Sequence, residues 1–218
     1  GVVNSWRLDL FGKLRVLILP DVPFMQDREI KAVREFVLNG GSLYLSGHSA
    51  PSLVEEIFRC RFEGYTTENM TYMSPTDQGH EWLTEFTRER PMTIRSRQAL
   101  LSDESIGSVL ATISLPYTQP PVYQAACFIV GGDRGQVAFQ DLPSDRFASI
   151  HSNPPGVCTD RPALLQGQYG KGRVVWSAAP LEAANRQPHQ DTFVAIMNYL
   201  GGSFSFQSDA PDYVELIQ

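Results

Sequence analysis

The stretch Leu43-Tyr44-Leu45-Ser46-Gly47-His48 puts a hydroxyl, a glycine and an imidazole in succession where an apolar run ends. That succession could serve nucleophilic chemistry, in which a serine oxygen activated by a neighbouring base attacks a carbonyl. Ser46 is the nucleophile such a site would use, with His48, His151 and Glu182 as the groups that could share its cleft. The plainer reading makes Ser46 a strand-end residue bonded to nearby backbone, and His48 and His151 loop residues bonded the same way. Asp21 and Glu182 each follow a buried apolar run. They are the two carboxylates that could flank a glycosidic bond, which requires them to be held roughly 5 to 10 Å apart. Their plainer role is to accept from loop amides. His80 and His189 flank helix starts and read as surface or capping residues. No H-x-H, H-E-x-x-H or Asp-x-Asp spacing occurs, so neither a metal nor a cofactor is expected.

The elements that must position these residues are legible in the first third of the chain. Leu14 to Leu19 (LRVLIL), closed by Pro20, reads as a parallel strand buried on both faces. Asp27 can cap a helix in which Ile30, Val33, Phe36 and Val37 recur at spacings of three and four, ending at Asn39-Gly40-Gly41. Ser42 to Ser46 is a second buried strand, which completes a right-handed βαβ unit. Pro51 opens a further helix through Leu53, Val54, Ile57 and Phe58. Residues 62 to 80 read as a polar, irregular surface excursion, and 81 to 89 as a short helix with Trp82 and Phe86 at i and i+4.

From about residue 92 the period becomes strand-like: Val109 to Leu115, Ala126 to Val130, Gln136 to Phe139, Phe147 to Ile150, Ala163 to Gln168 and Arg173 to Ser177. Tyr169-Gly170-Lys171-Gly172 joins the last two as a hairpin, and Asp191 to Leu200 reads as an amphipathic helix. Val2-Val3-Asn4 resembles the end of a strand and Tyr213 to Ile217 the start of one, so the chain reads as excised from a longer protein.

Composition narrows the functions further. The 218 residues carry 18 Lys and Arg against 24 Asp and Glu, a net charge of -6 with no basic cluster, so a nucleic-acid footprint is not expected. No window approaches 18 consecutive apolar residues, and no membrane segment is expected. The three cysteines, Cys60, Cys127 and Cys158, form no metal or disulfide pattern and suit a reducing compartment, which favours the cytoplasm; a periplasmic or secreted parent is the alternative.

The string LRVLILPDVPFMQDREIKAVREFVLNGGSLYLSGH resembles the opening βαβ unit of the glutamine-amidotransferase-like domain found within many glycoside hydrolases, best known as the β-galactosidase trimerisation domain. FASIHSNPPGVCTDRPALLQGQYGKGRVVWSAAPLE is similar to the later part of that module, and SDAPDYVELI to its exit linker. The resemblance covers about half the chain. It implies a flavodoxin-like three-layer α/β sandwich with a mostly parallel sheet, here with β-rich insertions in the second half. Residues 1–203 would form the domain and 204–218 a linker into a further domain. The family's first strand and helix would lie before residue 1, so either the sheet is shorter or the fragment begins inside it.

The same resemblance bears on chemistry. Relatives of the amidotransferase class carry a nucleophilic cysteine on the elbow after this strand, and Leu45 stands in its place. Their catalytic His-Pro-Glu segment would fall at Ala178, Ala179, Pro180 and Glu182, which contains no histidine. The resemblance therefore implies a degenerate domain serving assembly: contact with other domains of its parent, a homo-oligomer (a trimer by resemblance), and a glycan at the domain interface. The parent would act on a galactoside, a fucoside or a related glycan. The alternative is a small hydrolase or sugar-binding domain acting at the crevice where the strands end. Tyr65, Tyr72, Tyr117, Tyr123 and Trp176 could stack on sugars or anchor an interface, Tyr117 with Pro120-Pro121 being the best interface candidate.

Overall fold

The computed structural model describes residues 2–4, 6–102, 106–117 and 154–202. Its elements in chain order are Val16–Pro20 (β1), Asp27–Leu38 (α1), Ser42–Ser46 (β2), Pro51–Phe58 (α2), Phe62–Tyr65 (β3), Thr71–Pro75 (β4), Met92–Ile94 (β5), Ala99–Leu101 (β6), Ser108–Pro116 (β7), Pro155–Tyr169 (β8), Gly172–Ser177 (β9) and Gln187–Gly201 (α3). The opening βαβ unit forms as its pattern predicts, with β1 parallel to β2. Its helix starts one residue earlier than expected. Gln26, not Asp27, is the cap, in a reciprocal box with Glu29 that satisfies two otherwise free amides. The helix ends where expected, with Gly40 at φ +110.

Seven strands form one sheet in the order β1-β2-β9-β8-β7-β4-β5, and β3 pairs with β6 in a second, two-stranded sheet. Only β1, β2 and β9 run parallel; every pairing from β9 through β8, β7 and β4 to β5 is antiparallel. The sheet is therefore mixed, which corrects the expectation of a mostly parallel one. The physical reason lies in the connections: β8 and β9 are joined by the tight Gly170-Lys171 turn, which can only reverse the chain. β1 also departs from expectation. It is an edge strand, buried through Leu17 and Leu19 on one face, while Ile18 on the other is 39% exposed.

Side-chain alternation assigns the layers around the parallel strands. A Cβ on Gly172 would meet Val37 of α1, and one on Gly167 would meet Phe58 of α2, so both helices cover the face carrying Leu43, Leu45, Val174 and Trp176. Tyr44 on the opposite face packs edge-on against Phe193 of α3, with ring centroids 5.3 Å apart. Helices thus lie on both faces of the parallel part.

The excursion over residues 62 to 80 is structured. β4, TYMSP, is buried at all five positions between β7 and β5. Its polar side chains are absorbed by partners: the hydroxyls of Ser74 and Ser114 lie 2.6 Å apart, and Thr71 Oγ1 bonds the Ser96 carbonyl. The helix expected over 81 to 89 is a run of turns. Trp82 packs on Tyr199 and Phe86 on His189, so the i, i+4 pair anchors a loop to α3 instead of marking a helical stripe. Val2-Val3-Asn4 forms no strand. The strands expected at 126–130, 136–139 and 147–150, and the tail from residue 204, lie outside the described residues, as do His151, Tyr123 and Cys127.

Candidate functional site

Strand geometry creates the central cluster. Side chains two apart on a strand share a face, so Tyr44 and Ser46 both point toward the segment that follows β9. That segment is a short 3-10 helix, Leu181–Ala183, and its Glu182 meets both. The Ser46 hydroxyl donates to Glu182 Oε1 at 2.6 Å and the Tyr44 hydroxyl donates to Oε2 at 2.9 Å. Ser46 Oγ in turn accepts the Asp21 amide at 3.1 Å. Burial, and then the adjacent charge of Glu182, push the Tyr44 phenol well above its ordinary pKa. It remains a neutral donor.

The loops after β1 and β2 are locked to each other. Asp21 sits at φ +47, and its carboxylate accepts the His48 amide at 3.0 Å. Ser49 Oγ donates to the Leu19 carbonyl and accepts the Val22 amide, at 2.7 and 2.8 Å, and the Ala50 amide bonds the Val22 carbonyl. The Trp176 indole donates to the Gly47 carbonyl at 3.0 Å from beneath. Between Gly47, His48, Phe62, Leu101 and Trp176 no volume remains that a water molecule could enter. These bonds fasten the loop after β1 to the loop after β2.

The candidate residues therefore divide. Ser46 and Glu182 come together, with Asp21 joined to Ser46 through its amide. His48 does not join them: its ring stacks on Phe62 at a centroid distance of 3.8 Å, with Tyr65 edge-on at 6.2 Å. Ser46 is fully buried, as is Leu45, and among the described residues the base bonded to the serine oxygen is a carboxylate shared with a tyrosine. Asp21 meets Ser46 through its backbone amide and Glu182 meets it through its carboxylate. Tyr44 was not singled out from the sequence; its position two residues before Ser46 on a buried strand was the available signal.

His189 is the third residue of α3, and its Nε2 lies 2.8 Å from the Thr93 carbonyl, so it ties α3 to β5 instead of remaining a surface residue. Of the aromatic candidates, Trp176 is core and Tyr72 is buried, while Tyr65 and Tyr117 are partly exposed. Arg97 lies over the Tyr65 ring at 5.7 Å. Among the described residues no group of three or more His, Cys, Asp or Glu could hold a metal ion, and no helix is long and apolar enough to cross a membrane.

No protein-family model matches the chain, and no curated protein is significantly similar to it in sequence. Solved structures do share its fold. An α-L-fucosidase isoenzyme 2 from Paenibacillus thiaminolyticus superposes with a TM-score of 0.55 at 17% identity, over 86% of this chain and 25% of that one. A β-galactosidase from Rahnella sp. R3 gives 0.55 at 15% identity, over 91% and 24%. A cytoplasmic protein from Salmonella typhimurium, STM3548, gives 0.52 at 10% identity, over 91% and 76%. The chain spans about a fifth of the length of a GH42 β-galactosidase that it matches. Its mixed α/β fold is thus one that occurs both as a part of large glycoside hydrolases and in a chain of comparable length.

Proposed function

We propose that this chain is a non-catalytic, amidotransferase-like domain of a glycoside-hydrolase-type protein, serving oligomerisation or packing against a catalytic domain. Residues 1–203 form the domain and 204–218 the linker in this reading, and the parent acts on a galactoside, fucoside or related glycan. The observation that carries it is the state of Ser46. The hydroxyl next to the position where this architecture would place a nucleophile is fully buried and already donates to Glu182 while accepting from the Asp21 amide. A nucleophile needs an accessible lone pair and a base to take its proton; Ser46 has neither free. The fold shared with segments of β-galactosidases and a fucosidase supports the parent's class.

The test has two arms. Light scattering on a sizing column across a concentration range should give the mass of a closed oligomer, a trimer in the fullest form of the proposal. A strict monomer would remove self-assembly and leave packing against other domains. Aryl esters, amides and aryl galactosides or fucosides should show no turnover above background. A rate abolished by Ser46→Ala would overturn the proposal in favour of a hydrolase at the strand ends.

A further inference from the structure

A separate cavity of about 220 Å³ opens where residues 93–96, running from β5 toward β6, meet the segment leading from the end of β9 into α3. Arg95, Ser96, Asn185, Arg186 and His189 supply its polar lining. Its charge is opposite to that of the chain as a whole, which carries a net charge of -6. The ion pairs among the described residues engage Arg7, Lys31, Arg34 and Arg161, so Arg95 and Arg186 line this cavity with no carboxylate partner among the described residues. Glu182, adjacent in sequence to the lining residues Leu181 and Ala183, is turned to Tyr44 and Ser46.

His189 adds a second requirement. A carbonyl oxygen only accepts, so Nε2, facing the Thr93 carbonyl at 2.8 Å, carries the proton. In the neutral ring Nδ1 is then an acceptor, and it is buried with no partner. A buried acceptor left unmet is costly, and a donor hydroxyl would relieve it. Planar guanidinium groups match carboxylate and phosphate oxygens. The volume lies below that of drug-sized pockets, which begin at roughly 300 Å³.

We propose that this cavity binds a small hydroxylated anion the size of one sugar acid or sugar phosphate, with Arg95 and Arg186 holding the oxyanion and a ligand hydroxyl donating to His189 Nδ1. The experiment is titration calorimetry on the 218-residue protein with glucuronate, glucose 6-phosphate, acetate and glucose. At least one of the first two should bind one-to-one at millimolar concentration, and which one does so identifies the oxyanion. Acetate, which lacks hydroxyls, and glucose, which lacks charge, should each be weaker by about tenfold or more. Arg95 and Arg186 are exposed, so the Arg95→Ala/Arg186→Ala variant should keep its melting temperature while losing about tenfold or more in affinity. Binding of neither anion at these concentrations, glucose binding as tightly as the anions, or undiminished affinity in the double variant would overturn the proposal.

Discussion

Glu182 is the residue whose removal tests the closed strand-end cluster most directly. It accepts from two buried hydroxyls, Tyr44 at 2.9 Å and Ser46 at 2.6 Å. Replacing it by alanine leaves both donors inside the protein, and each stranded buried donor costs about 1–3 kcal/mol. Glu182 itself is half-buried, so water can enter part of the space its carboxylate vacates. The lower half of the range then applies, and Glu182→Ala should cost about 2–4 kcal/mol in total. Glu182→Gln keeps one acceptor oxygen and should cost about half as much. Urea unfolding followed by tryptophan fluorescence reads both variants, since Trp176 is buried in the core of the same sheet. A double-mutant cycle between Ser46→Ala and Glu182→Gln should return a coupling of about 0.5–3 kcal/mol, because the two groups share a bond. The reasoning fails if Glu182→Ala costs less than about 0.5 kcal/mol or if the coupling is zero within error.

Tyr44 should not ionise with the exposed tyrosines. Its raised pKa means that the fold favours the neutral phenol, so this stabilisation is complete below the ordinary value of 10.0 and is lost as pH climbs through the folded value. The phenols of Tyr65, Tyr72 and Tyr169 are also raised, so absorbance titration should show several delayed phenols, and Tyr44→Phe should remove the one that ionises only as the protein unfolds in alkali. Arg34 of α1 and Glu56 of α2 form an ion pair at 2.7 Å that the Tyr169 hydroxyl joins. Bonding to Arg34, and then to Tyr169, holds the Glu56 carboxyl below its usual 4.5, so its contribution is present above that value and disappears as pH falls through the lowered one. Both side chains are about one-third exposed, so Glu56→Gln should cost at most about 1 kcal/mol at neutral pH and nothing measurable in strong acid, by urea unfolding at each pH. Cys60 is buried, and desolvation, with Glu55 nearby, pushes its thiol up to about 11, whereas Cys158 is exposed. Peptide mapping after brief alkylation at pH 8 should find Cys158 modified and Cys60 intact; equal labelling would contradict the burial of Cys60.

The sequence by itself determined the local units whose driving force is local. A continuous apolar run, a 3.6-residue stripe and a glycine able to adopt φ +110 were enough to specify β1, α1, β2 and the turn between them. Long-range pairing decided the rest. β4 escaped notice because TYMSP carries no apolar pattern; it is a buried strand only because Ser114 and Ser96, 40 and 25 residues away from Ser74 and Thr71, take up its hydroxyls. Trp82 and Phe86 showed helical spacing, yet their partners, Tyr199 and His189, lie on α3, and packing overrode propensity. The strand end shows the same division. Ser46, Asp21 and Glu182 were visible as residue types that could do chemistry, but whether Ser46 faced a cleft or a carboxylate depended on a contact spanning 136 residues. A hydroxyl is a nucleophile or a structural donor according to what surrounds it, and those surroundings exist only once the chain has folded.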